Sequence, residues 1–156
     1  MLYDNIKFLN LEDYYDIMES IDVEKNNNTI TCYLSLKRSY EACPDCKTTN
    51  PTIHDYQKKK ITHSVSTSSP CFIVYKARRY KCRFCNNIYY ENNPFSYGKD
   101  QTSTYTILSV SESLRNHTST FTSVAAQYNL KKQHVIDIFD SYVDCNRLKF
   151  PQIICI

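Results

Sequence analysis

Four cysteines stand in two pairs of like spacing, Cys43-Pro44-Asp45-Cys46 and Cys82-Arg83-Phe84-Cys85. A Cys-x-x-Cys segment presents two thiolates from one tight turn. Two such turns supply the four ligands that tetrahedral zinc takes in structural sites. Between Cys46 and Cys82 lie 35 residues, more than compact fingers use, so the intervening chain must run out and return for the pairs to meet. Lys47, Lys81 and Arg83 lie beside the ligands, where their charge favours thiolate formation. A redox dithiol is the other reading of Cys-x-x-Cys, but no βαβ pattern surrounds either pair. His54 and His63 are the imidazoles that could replace a thiolate, though a lone histidine in strand-like sequence is more often a surface or packing residue. Four thiolates leave no position for water, so the expected zinc is structural and not catalytic. Cys32 and Cys71 fall on apolar strand faces and read as small core residues. Cys145 and Cys155 show no informative spacing.

A second constellation lies downstream. Residues 121–140 fit a helix-turn-helix, with Ala125 where two helices approach, Asn129 at a turn position that favours the left-handed region, and Leu130 as the turn hydrophobe. Val124, Tyr128, Val135 and Ile138 form the inward stripe. A recognition helix meets base edges with its first residues, here Lys131, Lys132, Gln133 and His134. An ordinary helical hairpin is the plainer reading. Lys131 is a poor N-cap, and Asp137, Asp140 and Asp144 make the later helix acidic.

The elements that must position these groups follow from periodicity. Leu11, Tyr14, Met18 and Ile21 recur at helical spacing, which predicts a short helix and a loop over residues 1–28, closed by the turn Asn26-Asn27-Asn28. Ile30, Cys32, Leu34 and Leu36 alternate with polar residues as in a half-buried strand. Ile61, His63 and Val65 alternate again. Residues 71–80 form a strand with Cys71, Ile73, Tyr75 and Ala77 on one face, and a short strand follows at Ile88-Tyr89-Tyr90. Past Asn93-Pro94 and Gly98 the pattern turns helical over 103–116, 121–128 and 132–143. The expected fold class is α+β: a helical lead-in over 1–28, a zinc-ribbon-like β domain over 29–95, an all-α helix-turn-helix domain over 96–145, and the start of a truncated catalytic domain over 146–156.

Charge is unevenly placed. The net charge is only +3, but residues 1–30 carry seven acids and two bases, while residues 37–99 carry twelve bases and four acids. Lys58, Lys59, Lys60, Arg78 and Arg79 make this block the footprint of a polyanion binder and the expected phosphate contacts. A single glycine excludes glycine-rich phosphate loops. No apolar run approaches the roughly 20 residues that span a bilayer, and Met1–Asn5 lacks the features of a signal peptide. A cytoplasmic chain with reduced thiols and no membrane partner is expected.

These strings resemble the N-terminal region of ISL3-family insertion-sequence transposases. The resemblance rests on the first cysteine pair, His54-Asp55, the string Arg78-Arg79-Tyr80-Lys81-Cys82-Arg83-Phe84-Cys85, and Tyr89-Tyr90-Glu91-Asn92-Asn93-Pro94-Phe95. In the family a helix-turn-helix follows, and then a strand carrying the first catalytic Asp of an RNase H-like DDE domain. Here Leu148–Ile156 matches the approach to that strand. Lys47 and Asn129 stand where glycine is common in the family. The resemblance implies the DNA-binding region of a transposase, recognising the double-stranded terminal inverted repeats of an insertion element. It also implies that these residues, lacking the DDE domain, are not an enzyme. The other readings are a zinc-scaffolded protein–protein module that makes a homodimer, a standalone zinc and helix-turn-helix DNA-binding regulator, and an RNA-binding ribbon that stacks bases on Tyr80, Tyr89 and Tyr90.

Overall fold

A computed structural model describes residues 6–39, 41–65, 69–97 and 101–142. Gly98, Asp144, Cys145, Cys155 and the whole of residues 146–156 lie outside the described residues. Five strands form one sheet: β1 (Met18–Asn26), β2 (Thr29–Leu36), β3 (Thr52–Thr62), β4 (Cys71–Lys81) and β5 (Ile88–Tyr90). Three helices follow: α1 (Thr104–Leu114), α2 (Phe121–Gln127) and α3 (Lys132–Tyr142). Strand order is β1-β2-β4-β3, with β5 pairing the far end of β4. β2 and β4 run parallel; the other pairings are antiparallel.

The helical reading of residues 1–28 is corrected. Residues 6–8 are helical and Glu12–Ile17 is a 3-10 segment, but Met18–Asn26 is a strand. Asn27 and Asn28 form a two-residue turn that joins β1 to β2, with Asn27 at φ 49°. The apolar spacing misled because Leu11 and Met18 are buried in the same core through different local structures, and Tyr14 and Ile21 pack against it. Between them Glu19, Asp22 and Glu24 alternate outward, as suits an exposed edge strand.

The alternation predicted for β2 is observed: Ile30, Cys32, Leu34 and Leu36 are all buried. On β4, Cys71, Ile73, Tyr75 and Ala77 face the same core. Ile6, Leu9, Leu11, Val65 and Phe95 complete it. Burial pushes the Cys32 thiol up to about 12 and the Cys71 thiol up to about 11, so both are inert packing residues.

A second core lies among the helices: Ile107, Val110, Val124, Ala125, Tyr128, Val135 and Ile138. Thr120 caps α2 in a reciprocal capping box with Ser123. The link between the two cores is polar and buried. Ser64 donates its amide to Thr106 Oγ1 at 2.8 Å and its hydroxyl to the Tyr128 carbonyl. The Ser103 amide donates to the Thr62 carbonyl at 2.8 Å. His63 is fully buried, with Nε2 2.6 Å from the Leu9 carbonyl and Nδ1 2.8 Å from Ser103 Oγ. A carbonyl only accepts, so the proton sits on Nε2 and Nδ1 accepts from Ser103.

Burial holds His63 below its ordinary value of 6.5, against a smaller upward effect of the Leu9 carbonyl. The folded protein therefore excludes a proton that the unfolded chain takes up. This contribution to stability is complete above about pH 6.5 and is lost as pH falls below it. Thermal melts at pH 7 and pH 5 should show a smaller drop in Tm for His63→Gln than for the parent protein. Equal drops would remove His63 from the acid response.

Candidate metal centre and nucleic-acid interface

Sheet register assembles the cysteine quartet. The first knuckle precedes β3 and the second follows β4; antiparallel pairing sets Thr52 against Lys81 and so brings the two turns together. Each knuckle closes on its own backbone. The Lys47 amide donates to the Cys43 carbonyl at 3.0 Å, the Cys43 amide to the Thr48 carbonyl at 3.0 Å, and the Cys82 amide to the Asn87 carbonyl at 2.8 Å. Lys47 and Asn86, each just after the second cysteine of its pair, both stand at φ 59°. That left-handed geometry is the reason glycine is common at such a position.

The four sulfurs lie within 4.8 Å of one another. Cys43 and Cys85 Sγ are 3.6 Å apart, and Cys46 and Cys82 Sγ are 3.5 Å apart. A tetrahedron with zinc–sulfur bonds of about 2.3 Å has sulfur–sulfur edges of about 3.8 Å, so the quartet fits the ion. Thr48 Oγ1 lies 3.2 Å from Cys46 Sγ and donates to it when the sulfur is a thiolate. This contact, with the Thr48 amide, holds Cys46 down at about 6. The Asn87 amide lowers Cys85, but desolvation and the neighbouring thiols outweigh it and push Cys85 up to about 12. Four sulfurs this close share negative charge poorly, and a dication offsets it. His54 is exposed on β3 and His63 belongs to the core; neither joins the quartet.

Tyr80 and Tyr89 floor the site, packed with Cys43 and Cys82. Their hydroxyls donate to the Ser39 carbonyl at 2.8 Å and the Glu41 carbonyl at 3.1 Å. Both are buried, which corrects the reading of them as base-stacking residues. Tyr90 is exposed, with Lys59 Nζ 5.0 Å from its ring centroid.

The basic block divides. Arg78 turns inward: its guanidinium pairs with Glu91 at 2.8 Å and donates to the Lys37 and Leu36 carbonyls. The two side chains are 13% and 4% exposed, so the expected phosphate contact is an interior ion pair. Arg79 pairs with Asp55 and stays one-third exposed. Lys58 and Lys60 are exposed and Lys59 is half-buried. At the start of α3, Lys131 just before it and Lys132 and Gln133 within it are exposed, and Gln133 Nε2 donates to Asp137 Oδ1 at 3.0 Å. His134 instead meets buried Thr102, Nε2 to Oγ1 at 2.8 Å. That contact turns this nitrogen away from any ligand at the helix start. Asn129 stands at φ 54° between α2 and α3, and the Leu130 amide donates to the Ala125 carbonyl at 2.9 Å. Sequence reasoning missed Phe84, 78% exposed at the tip of the second knuckle; Lys76, part of the basic run of β4, is exposed as its strand alternation predicts.

Residues 39–85 match the family model described as the zinc-finger of transposase IS204/IS1001/IS1096/IS1165. All four cysteines lie inside the match, so this segment is similar to an ISL3-type transposase zinc ribbon. No curated protein and no solved structure matches the chain. Together with the geometry, the match makes the quartet a structural zinc site. Among the described residues no helix is long and apolar enough to cross a membrane.

Protein purified without added metal should carry one zinc per chain. Cys82→Ser should remove it and cost several kcal/mol, a fall in Tm of more than about 10 °C. A stoichiometry near zero in the parent protein rejects the site. Urea unfolding separates the two kinds of basic residue: Arg78→Ala strands a buried carboxylate and should cost about 3–5 kcal/mol, whereas Lys58→Ala should stay within about 0.5 kcal/mol. Equal effects would contradict that division.

Proposed function

We propose that this chain is the DNA-binding region of a transposase and recognises the terminal inverted repeats of its element. The observation that carries the reading is the match of residues 39–85 to a transposase zinc finger, on a quartet whose spacing fits zinc. Zinc, held by Cys43, Cys46, Cys82 and Cys85, crosslinks the end of the sheet and takes no part in chemistry. The basic block on β3 and the start of α3 supply the contacts.

Phosphates would be held by Lys58, Lys59, Lys60 and, through its exposed third, Arg79. Arg78 leaves this set because Glu91 neutralises it. Residues 121–142 serve as a helix-turn-helix. Support comes from the buried stripe Val124, Tyr128, Val135 and Ile138, and from Asn129 in the left-handed region between the helices. Lys132 and Gln133 would meet base edges and Lys131 a phosphate. His134 leaves the base-reading set because Thr102 engages it. Asp137 and Asp140 are exposed further along α3; like charge keeps that part of the helix off the backbone, so the first turn does the reading. This reading assigns the chain binding and no catalytic step.

A pool of 24-base-pair duplexes with random centres tests it. Five phosphate contacts give a log–log salt slope of about −4.5, or roughly five-hundredfold weaker binding from 50 to 200 mM salt. Repeated selection should enrich one sequence, and Gln133→Ala should bind that sequence about tenfold more weakly and relax one position. Failure to bind duplex at low salt, or binding that enriches no sequence, rejects the reading.

A further inference from the structure

The sheet buries one face. The other carries Lys58 and Lys60, already assigned to phosphate, and beside them Lys76, Tyr33 and Tyr56, which neither zinc binding nor the duplex reading uses. Strand register sets its rows. Glu24 opposes Thr31, Thr31 opposes Phe72, and Phe72 opposes Thr62. In the next row Asp22, Tyr33, Val74 and Lys60 follow one another across the four strands. Beyond them Lys76 opposes Lys58, and Arg78 opposes Tyr56. Acidic side chains thus stand on β1 and basic ones on β3 and β4, with β2 between.

Lys58 and Lys76 are both exposed and directly opposite. Like charges so placed destabilise a sheet, and this half of the face offers no carboxylate to relieve them among the described residues. Glu91, the acid that reaches β4 from β5's end, is already paired with Arg78. Lysines on an edge strand often serve to block pairing with another sheet, which accounts for Lys58 and Lys60 on β3. It does not account for Lys76. β4 is an interior strand, with β3 along one side and β2 and β5 along the other.

Aromatic rings flank the lysines. Tyr56, one row beyond Lys58 on β3, is 57% exposed, and Tyr33 on β2 is 36% exposed. Lys60 Nζ sits 3.9 Å from the centroid of Phe72, and Val74, directly opposite Lys60, is buried. Cations at the centre with ring platforms on a diagonal suit a phosphodiester strand whose bases are free to stack. A duplex keeps its bases inside and would leave both tyrosines unused.

We propose that this open face, through Lys58, Lys76, Tyr33 and Tyr56, binds single-stranded DNA. The choice of DNA over RNA rests on the DNA-binding reading above; the site itself rests on the register. Its occupant is a segment of unpaired strand, held by phosphate at the lysine pair and by base stacking on either side.

Fluorescence anisotropy with a labelled 15-nucleotide oligo-dT tests it on the zinc-loaded protein, with the random duplex pool measured in parallel. Wild type should bind oligo-dT at low salt. Lys76→Ser should weaken that binding and make the salt slope shallower by about 0.7. Tyr33→Leu combined with Tyr56→Leu should weaken it at least tenfold, leave the slope unchanged and leave duplex binding within twofold. Both tyrosines are exposed; unchanged zinc content and Tm exclude a folding defect. No binding of oligo-dT while duplex is bound overturns this site alone. Loss of both overturns the DNA reading as well. Indifference of oligo-dT binding to the double tyrosine variant, or tighter binding of oligo-U than of oligo-dT, also overturns the proposal.

Discussion

The register of β3 against β4 is the constraint on which the rest depends. Ile61 against Ile73 anchors one end in the core, and Thr52 against Lys81 closes the other end beside the knuckles. A strand advances about 3.4 Å per residue. A slip of one residue would therefore carry Cys82 and Cys85 past Cys43 and Cys46 by more than a zinc–sulfur bond tolerates, and would turn every side chain of β3 to the opposite face. Metal and core thus fix the same alignment from two ends. The irregularity between Ile53 and Asp55 lies near the knuckle end, where Tyr80 drops under the sulfurs while Arg79 meets Asp55.

Charge near this framework has two destinations. Arg78 presents a planar fork that satisfies a carboxylate and two backbone carbonyls at once, which a lysine ammonium cannot reproduce. It ties the end of β2 and the residue after β5 to the middle of β4. On the outer face Lys60 sets its ammonium over the Phe72 ring, while Lys58 and Lys76 are exposed. One basic block in the sequence is therefore an interior clamp and an outer surface.

Much of this was legible in the chain. The cysteine spacing predicted the quartet because coordination chemistry allows few other uses of it. The alternation of Ile30, Cys32, Leu34 and Leu36, and of Cys71 through Ala77, predicted core strands because burial follows the pleat. β1 was missed because its apolar residues are sparse and a bulge between Met18 and Ser20 breaks the alternation. The first part of β3 was missed because His54 to Lys60 has no buried side to reveal it. The roles of Arg78 and His134 were not legible. Glu91 is 13 residues from Arg78 and Thr102 is 32 from His134, and only the packed fold sets those partners together. The same holds for His63, whose partners Leu9 and Ser103 lie 54 residues before it and 40 after it.

Left-handed turns among the described residues are built without glycine. Among the described residues Asn10, Asn27, Lys47, Asn50, Asn86 and Asn129 all have positive φ. Each carries some strain that glycine would avoid, less for asparagine than for lysine. Each also narrows the range of shapes open to the chain before it folds, where glycine would widen it by about 0.4–1 kcal/mol per site. The turns that place β1 on β2, α3 on α2 and both knuckles on the metal thus draw part of their stability from a stiffer denatured ensemble. That contribution resides in no contact of the folded molecule.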